Sequence, residues 1–130
     1  MAENEESLFL TPVITSYPYS SDRINMPAKF VEAGCKVAFV PTGDGDAQLG
    51  AMRFQVAELI KNGMSREDAV KALTGNVAEA LGLGSRLGTV EKGKDGNLIL
   101  LSADPFDVQA EVQKVVIEGS VVYDRDEEDD

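Results

Sequence analysis

The sequence predicts a mixed fold, an α/β to α+β chain that begins with parallel strands and ends in antiparallel ones. Three observations predict it. Residues 8–40 read as a strand, a helix closed by glycine and a second apolar strand, which is a βαβ unit. Residues 46–82 carry helical apolar spacing and capping residues. From Leu87 onward, short β-branched runs alternate with turn pairs.

Taken in order, residues 8–15 (LFLTPVIT) are apolar and β-branched, and Pro12 makes that strand irregular or an edge. The Ser-, Tyr-, Pro- and Asp-rich stretch 16–25 reads as a loop. Pro27 suits the first turn of a helix whose apolar side is Ala28, Phe30 and Val31, and Gly34 ends it. Residues 36–40 (KVAFV) form an almost wholly apolar run, the signature of a strand buried on both faces. That strand is expected to be central and parallel to 8–15. Val37 and Phe39 then face one side, Ala38 and Val40 the other.

Residues 41–46 (PTGDGD) make a tight loop, with Asp46 the expected N-cap of the next helix. Leu49, Met52, Val56, Leu59 and Ile60 draw that helix's apolar stripe, and Gly63 closes it. Ser65 to Asp68 resembles a capping box with Asp in place of Glu, and Met64 is placed to staple onto Ala69. Val70 and Leu73 are expected inward. Asn76 and Glu79 repeat the capping device, Leu81 packs, and Gly82 stops the helix. Strands are then expected in 87–93, 97–101, 113–118 and 120–124. Asp95-Gly96 supplies a turn, and Glu118-Gly119-Ser120 joins a hairpin.

The net charge of −11 is concentrated at the ends. Residues 1–6 carry −3 and residues 124–130 carry −5, which leaves −3 over the other 117 residues. The domain organisation therefore reads as an acidic tail (1–6), an α/β segment (7–86), a β segment (87–123) and a second acidic tail (124–130). A body without a basic footprint argues against nucleic acid and against anionic membrane surfaces. No apolar run reaches the roughly 20 residues that span a bilayer, and the N-terminus shows no signal-peptide pattern, so the expected location is cytoplasmic. The chain has no histidine and one cysteine, Cys35. A Ser–His–Asp triad, a Cys–His pair and a His- or thiolate-ligated zinc site are therefore excluded within these residues. Cys35 reads as a buried, inert thiol and Lys94 as a solvated turn residue.

Asp44 and Asp46 are a carboxylate pair in a glycine-rich loop at a parallel strand's carboxyl end, where α/β sites lie. They are candidate metal ligands for an oxygen-seeking cation such as Ca²⁺ or Mg²⁺. The alternative, which the residues favour, has Asp46 capping its helix and Asp44 solvated, because such a cation takes about six oxygens.

The order of motifs in the second half is specific. SREDAVKALT (65–74) is followed by NVAEALGL (76–83), RLGTVEKGKD (86–95), NLILL (97–101), ADP (103–105) and VIEGSVVY (116–123). This order resembles the C-terminal portion of the metal-dependent amidohydrolases, particularly imidazolonepropionase-like and dihydroorotase-like members. There A-L-T-x-N-x-A-x-x-L-G, G-x-L/V-x-x-G-K-D-A-D and V-x-V-x-G-x-V-V-Y follow one another. The resemblance runs from about Leu8 to Tyr123.

The resemblance implies a (β/α) barrel end, with LFLTPVIT and KVAFV as the seventh and eighth strands. Residues 87–123 would then supply short antiparallel strands of a composite β-sandwich. A full barrel takes about 250 residues, so only two of eight units fit here. It also implies hydrolysis of non-peptide C–N bonds with a divalent metal, zinc or similar, most of whose ligands lie on strands these residues do not include. One family ligand falls here, the catalytic aspartate at the end of the eighth strand. Thr42 occupies that position in the ungapped alignment, and a two-residue slip brings Asp44 there. Tyr17 and Tyr19 fall on the family's substrate-facing end, or else simply cover the core with their hydroxyls in water. The family's G-K-D-A-D becomes Gly93-Lys94-Asp95-Gly96-Asn97. The expected function is thus an amidohydrolase-related fragment or domain, inactive by itself and with no cofactor of its own. The alternative is a stand-alone binding or interaction domain of the same descent. The expected partners are a second copy, which salt would help to associate, or a complementary N-terminal barrel fragment.

Overall fold

The computed structural model describes residues 7–128. β1 (Ser7–Leu10) and β4 (Lys36–Phe39) form a parallel pair with Leu8 opposite Val37 and Leu10 opposite Phe39. Between them, β2 (Thr15–Ser16) and β3 (Arg23–Ile24) make a small antiparallel ribbon, followed by α1 (Met26–Glu32). Pro12 ends β1 early, so the expected strand 8–15 is split into two pieces. Asn25, expected to belong to the loop 16–25, caps α1 and is buried: its Oδ1 accepts from Ala28 N–H and its Nδ2 donates to Leu59 O at 2.8 Å. Gly34, at φ 89°, turns the chain into β4.

β4 is buried as expected, with Val37, Ala38 and Phe39 each at most 3% exposed. It is not central: the parallel sheet has two strands, which leaves both outer edges open. Val40 N–H donates to Leu10 O at 2.9 Å. Alternation along a parallel strand therefore aims the peptide groups of Val37 and Phe39 at the far edge. There Asn76 Nδ2 donates to Val37 O at 2.8 Å.

α2 (Asp46–Lys61) packs on α3 (Arg66–Leu73) and, with α4 (Gly75–Ala80), covers the sheet. The core joins Val37 and Phe39 to Val56, Leu59, Met64, Ala69 and Ala72. Ser65 caps α3 as expected, accepting from Asp68 N–H at 3.1 Å while its hydroxyl donates to the Asp68 carboxylate. Three expectations need correction here. Val70 is exposed, and Ala69 and Ala72 are the buried positions of α3. Asn76 is inside α4, one residue past its first, and spends its amide on β4 rather than on a cap. Leu81 is 61% exposed.

Residues 87–93 form turns rather than a strand, since Gly88 and Gly93 sit at φ 97° and 92°. The other β runs form one antiparallel sheet of β5 (Leu98–Leu101), β6 (Val112–Ile117) and β7 (Ser120–Asp124). Glu118 and Gly119, both at positive φ, make the two-residue hairpin turn between Ile117 and Ser120. Asn97 Oδ1 accepts from Glu118 N–H at 2.8 Å, so the residue replacing the family aspartate still holds that hairpin tip. The acidic stretch 124–130 begins inside the fold: Asp124 closes β7, and Arg125–Glu128 form a short helix, α5. The tail 1–6 and residues 129–130 lie outside the described residues.

Candidate functional site

The carboxyl end of β4 carries the loop that the sequence singled out. Thr42, Asp44 and Asp46 are all exposed, separated by half-buried Gly43 and Gly45. Gly45 is the N-cap of α2 in an extended conformation (φ −77°, ψ 156°) and makes no side-chain cap bond. Asp46 is therefore the first residue of the helix, not its cap. There its charge still meets the positive end of the helix dipole. Gln48 folds back over the loop, so a Cβ on Gly45 would lie 2.5 Å from Gln48 Oε1.

Helix α4 steadies the strand behind this loop in two places. One is the Asn76 bond to Val37 O. The other is the ion pair of Lys36, the first residue of β4, with Glu79. The hydrogen bond and charge of Lys36 hold the Glu79 carboxyl below its ordinary range. At the far end of the chain the same effect works between Lys114 and Asp124, 2.7 Å apart: Asp124 is lowered by accepting from Lys114, and Lys114 is raised.

Tyr17 and Tyr19 belong to a different element, the turn between β2 and β3. Both are exposed, and Tyr19 adopts a left-handed conformation (φ 63°). Cys35 is half-buried. Lys94, expected to be solvated, has its side chain only 15% exposed, 3.1 Å from Glu91 and bonded to Thr89 Oγ1. A cleft of about 510 Å³, walled by Leu73, Val77, Leu81, Leu87 and Ile99, runs between the α3–α4 pair and β5. Among the described residues no three Cys, Asp or Glu side chains converge as metal ligands, and no helix is long and apolar enough to cross a membrane.

A parallel βαβ pair with its loop at the strand ends, followed by packed helices and a small antiparallel sheet, defines a chain of the α/β class whose site faces the strands' carboxyl ends. The sequence settles which branch of that class: the amidohydrolase family profile matches residues 46–123, and the chain belongs to that family. It is similar to the imidazolonepropionase of Thermoplasma volcanium, 41% identical over 48% of this chain and 17% of the relative. The imidazolonepropionase of Bacteroides thetaiotaomicron is 30% identical over 88% of this chain and 28% of its own length. Among solved structures, an amidohydrolase from Thermotoga maritima superposes with a TM-score of 0.72 at 35% identity, over 78% of this chain and 26% of that one. A 5-methylcytosine deaminase from Klebsiella pneumoniae shares the fold at a TM-score of 0.62 and 22% identity, over 85% of this chain and 29% of its own. The chain thus spans less than a third of the length of these relatives.

Amidohydrolases are typically metal-dependent. The donors in these 130 residues do not by themselves fit such a metal. Zinc takes three or four nitrogen, sulfur or oxygen ligands at catalytic and structural sites. Here the loop after β4 offers two exposed carboxylates and the chain contains no histidine.

Proposed function

We propose that these residues are the C-terminal part of a metal-dependent hydrolase that opens the C–N bond of a small cyclic amide. In this reading they supply the last two strands of its barrel and the strands of its smaller β domain, and they are inactive alone. Asp44 is the residue assigned to the metal and to the proton of the attacking water, because Thr42, at the ungapped position, offers no carboxylate. Tyr17 and Tyr19 stand where a substrate would pass. The observation that carries the reading is the match to under a third of each relative by a chain with no histidine. The partner is a complementary N-terminal barrel fragment, or a second copy, at the open edges of β1 and β4, and the setting is the cytoplasm.

A second reading, a non-catalytic binding domain, draws support from Asn76. Its amide occupies a carbonyl on the open edge of β4, as a chain that closes its own edge would do. The test is incubation of the purified chain with Zn²⁺ or Mn²⁺ and a panel of cyclic amides and imides. No turnover is expected. Metal-dependent turnover that follows the protein through a sizing column, and is lost in Asp44→Ala, overturns the proposal.

A further inference from the structure

A second cleft lies between the segment after β1 and the middle of α2. It measures about 370 Å³, within the range of small-molecule sites, which run from roughly 300 to 1,000 Å³. Pro12, Val13 and Ile14 give it an apolar wall, and Arg23, Gln55 and Glu58 bring polar groups to it. Neither Thr42 nor Asp44 lines it, so binding here is independent of the hydrolytic reading.

Gln55 Oε1 is the one buried side-chain polar atom without a hydrogen-bond partner among the described residues. Buried acceptors in folded proteins are almost always satisfied, and an orphan needs an explanation. Arg23 is also under-used. Its Nη1 stands 3.8 Å from Glu58 Oε2, beyond hydrogen-bond length, and its side chain is 65% exposed. Glu58 is shared with Lys61, whose Nζ lies 3.5 Å from Oε1. Two cations against one carboxylate leave the neighbourhood with a surplus positive charge.

We propose that this cleft binds a small carboxylic acid that also carries an uncharged N–H, such as a ureido or amide acid. The carboxylate goes to Arg23, whose planar donors match it in two-point contact. The N–H donates to Gln55 Oε1 and satisfies it. An ammonium group fits less well, because Glu58 is already flanked by two cations. The apolar wall takes the short carbon chain between the two groups.

The probe is ureidoacetate, titrated into the ¹⁵N-labelled chain, with acetate (no N–H) and acetamide (no carboxylate) as comparisons. Amide shifts are expected around residues 13–16, 23, 55 and 58. Ureidoacetate is expected to bind roughly fivefold or more tightly than acetate, the worth of one neutral hydrogen bond. Gln55→Leu removes the orphan acceptor, keeps the fold, and brings ureidoacetate down to the level of acetate. Arg23→Gln, at an exposed position, abolishes the response to both acids. Three results each overturn the proposal: no shifts at millimolar probe, equal affinity for ureidoacetate and acetate in the unmodified chain, or ureidoacetate binding unchanged in both variants.

Discussion

Leu49 and Leu59 lie on the same helix and on the same apolar stripe, yet the structure separates them completely. Leu59 is fully buried among Val56, Met64 and Ala69, whereas Leu49 is 53% exposed. Replacing each in turn by alanine tests the packing directly. Removing a buried leucine side chain loses its transfer free energy and leaves a cavity, a cost of about 2.7–5 kcal/mol in well-packed cores. Leu59→Ala is expected near the lower end, about 3 kcal/mol, because the flexible Met64 beside it partly refills the space. Its carbonyl, which accepts from Asn25, stays in place. At about 4 °C per kcal/mol for a chain of this size, the melting temperature should fall by roughly 12 °C. Leu49→Ala should stay within about 0.5 kcal/mol, as surface changes do. Urea denaturation followed by far-UV circular dichroism measures both. Equal losses for the two leucines would refute the burial assignment and with it the docking of α2 on the sheet.

Two glycines should respond with opposite signs to alanine, read by the same denaturation. Gly50, inside α2 with nothing within 4 Å of its absent Cβ, should gain roughly 0.5–1 kcal/mol. Gly88, at φ 97° with that Cβ 2.6 Å from Ala78 Cβ and 3.1 Å from Thr74 O, should lose about 1–3 kcal/mol. The Lys36–Glu79 pair predicts a pH dependence. The Glu79 carboxyl is lowered from its ordinary value of 4.5, so the folded state binds its proton less readily than the unfolded chain. Its contribution is then present in full above that value and is lost as pH falls through the folded pKa. The stability difference between the unmodified chain and Glu79→Gln should therefore shrink on acidification below about pH 4.5. A difference that grows with acid would contradict the pairing.

Periodicity made the βαβ unit legible, because the apolar run at 36–40 and the glycine at 34 leave few other foldings. The hairpin at Glu118-Gly119 was equally plain, since few residue pairs accept positive φ twice. Residues 87–93 misled because their β-branched side chains suit a strand, while Gly88 is committed to a close approach against Gly75 and Ala78 that only tertiary packing reveals. The motif around Asn76 and Glu79 looks like a capping box from sequence, yet both side chains reach β4, some 40 positions earlier in the chain. Val70 is the inward residue of α3 by hydrophobicity alone. The tight fit against β4 instead selects the smaller Ala69 and Ala72. The loop 41–46 was placed correctly at its strand end, but its helix begins one residue earlier than expected, after Gly45 rather than after Asp46. Gln55 gave no signal, because a glutamine within an amphipathic helix reads as solvent-facing. Its isolation depends on residues 12–16 packing over it.

A chimera tests the central claim most directly. The corresponding C-terminal 28% of the Bacteroides thetaiotaomicron imidazolonepropionase would be replaced by this chain, and the relative's own reaction measured with its metal supplied. If these residues are the end of such an enzyme, a chimera that folds by circular dichroism and elutes as one species turns substrate over. Asp44→Ala in that background abolishes the activity and Thr42→Ala leaves it. A folded chimera without turnover, or one in which Asp44→Ala keeps full activity, would contradict the account.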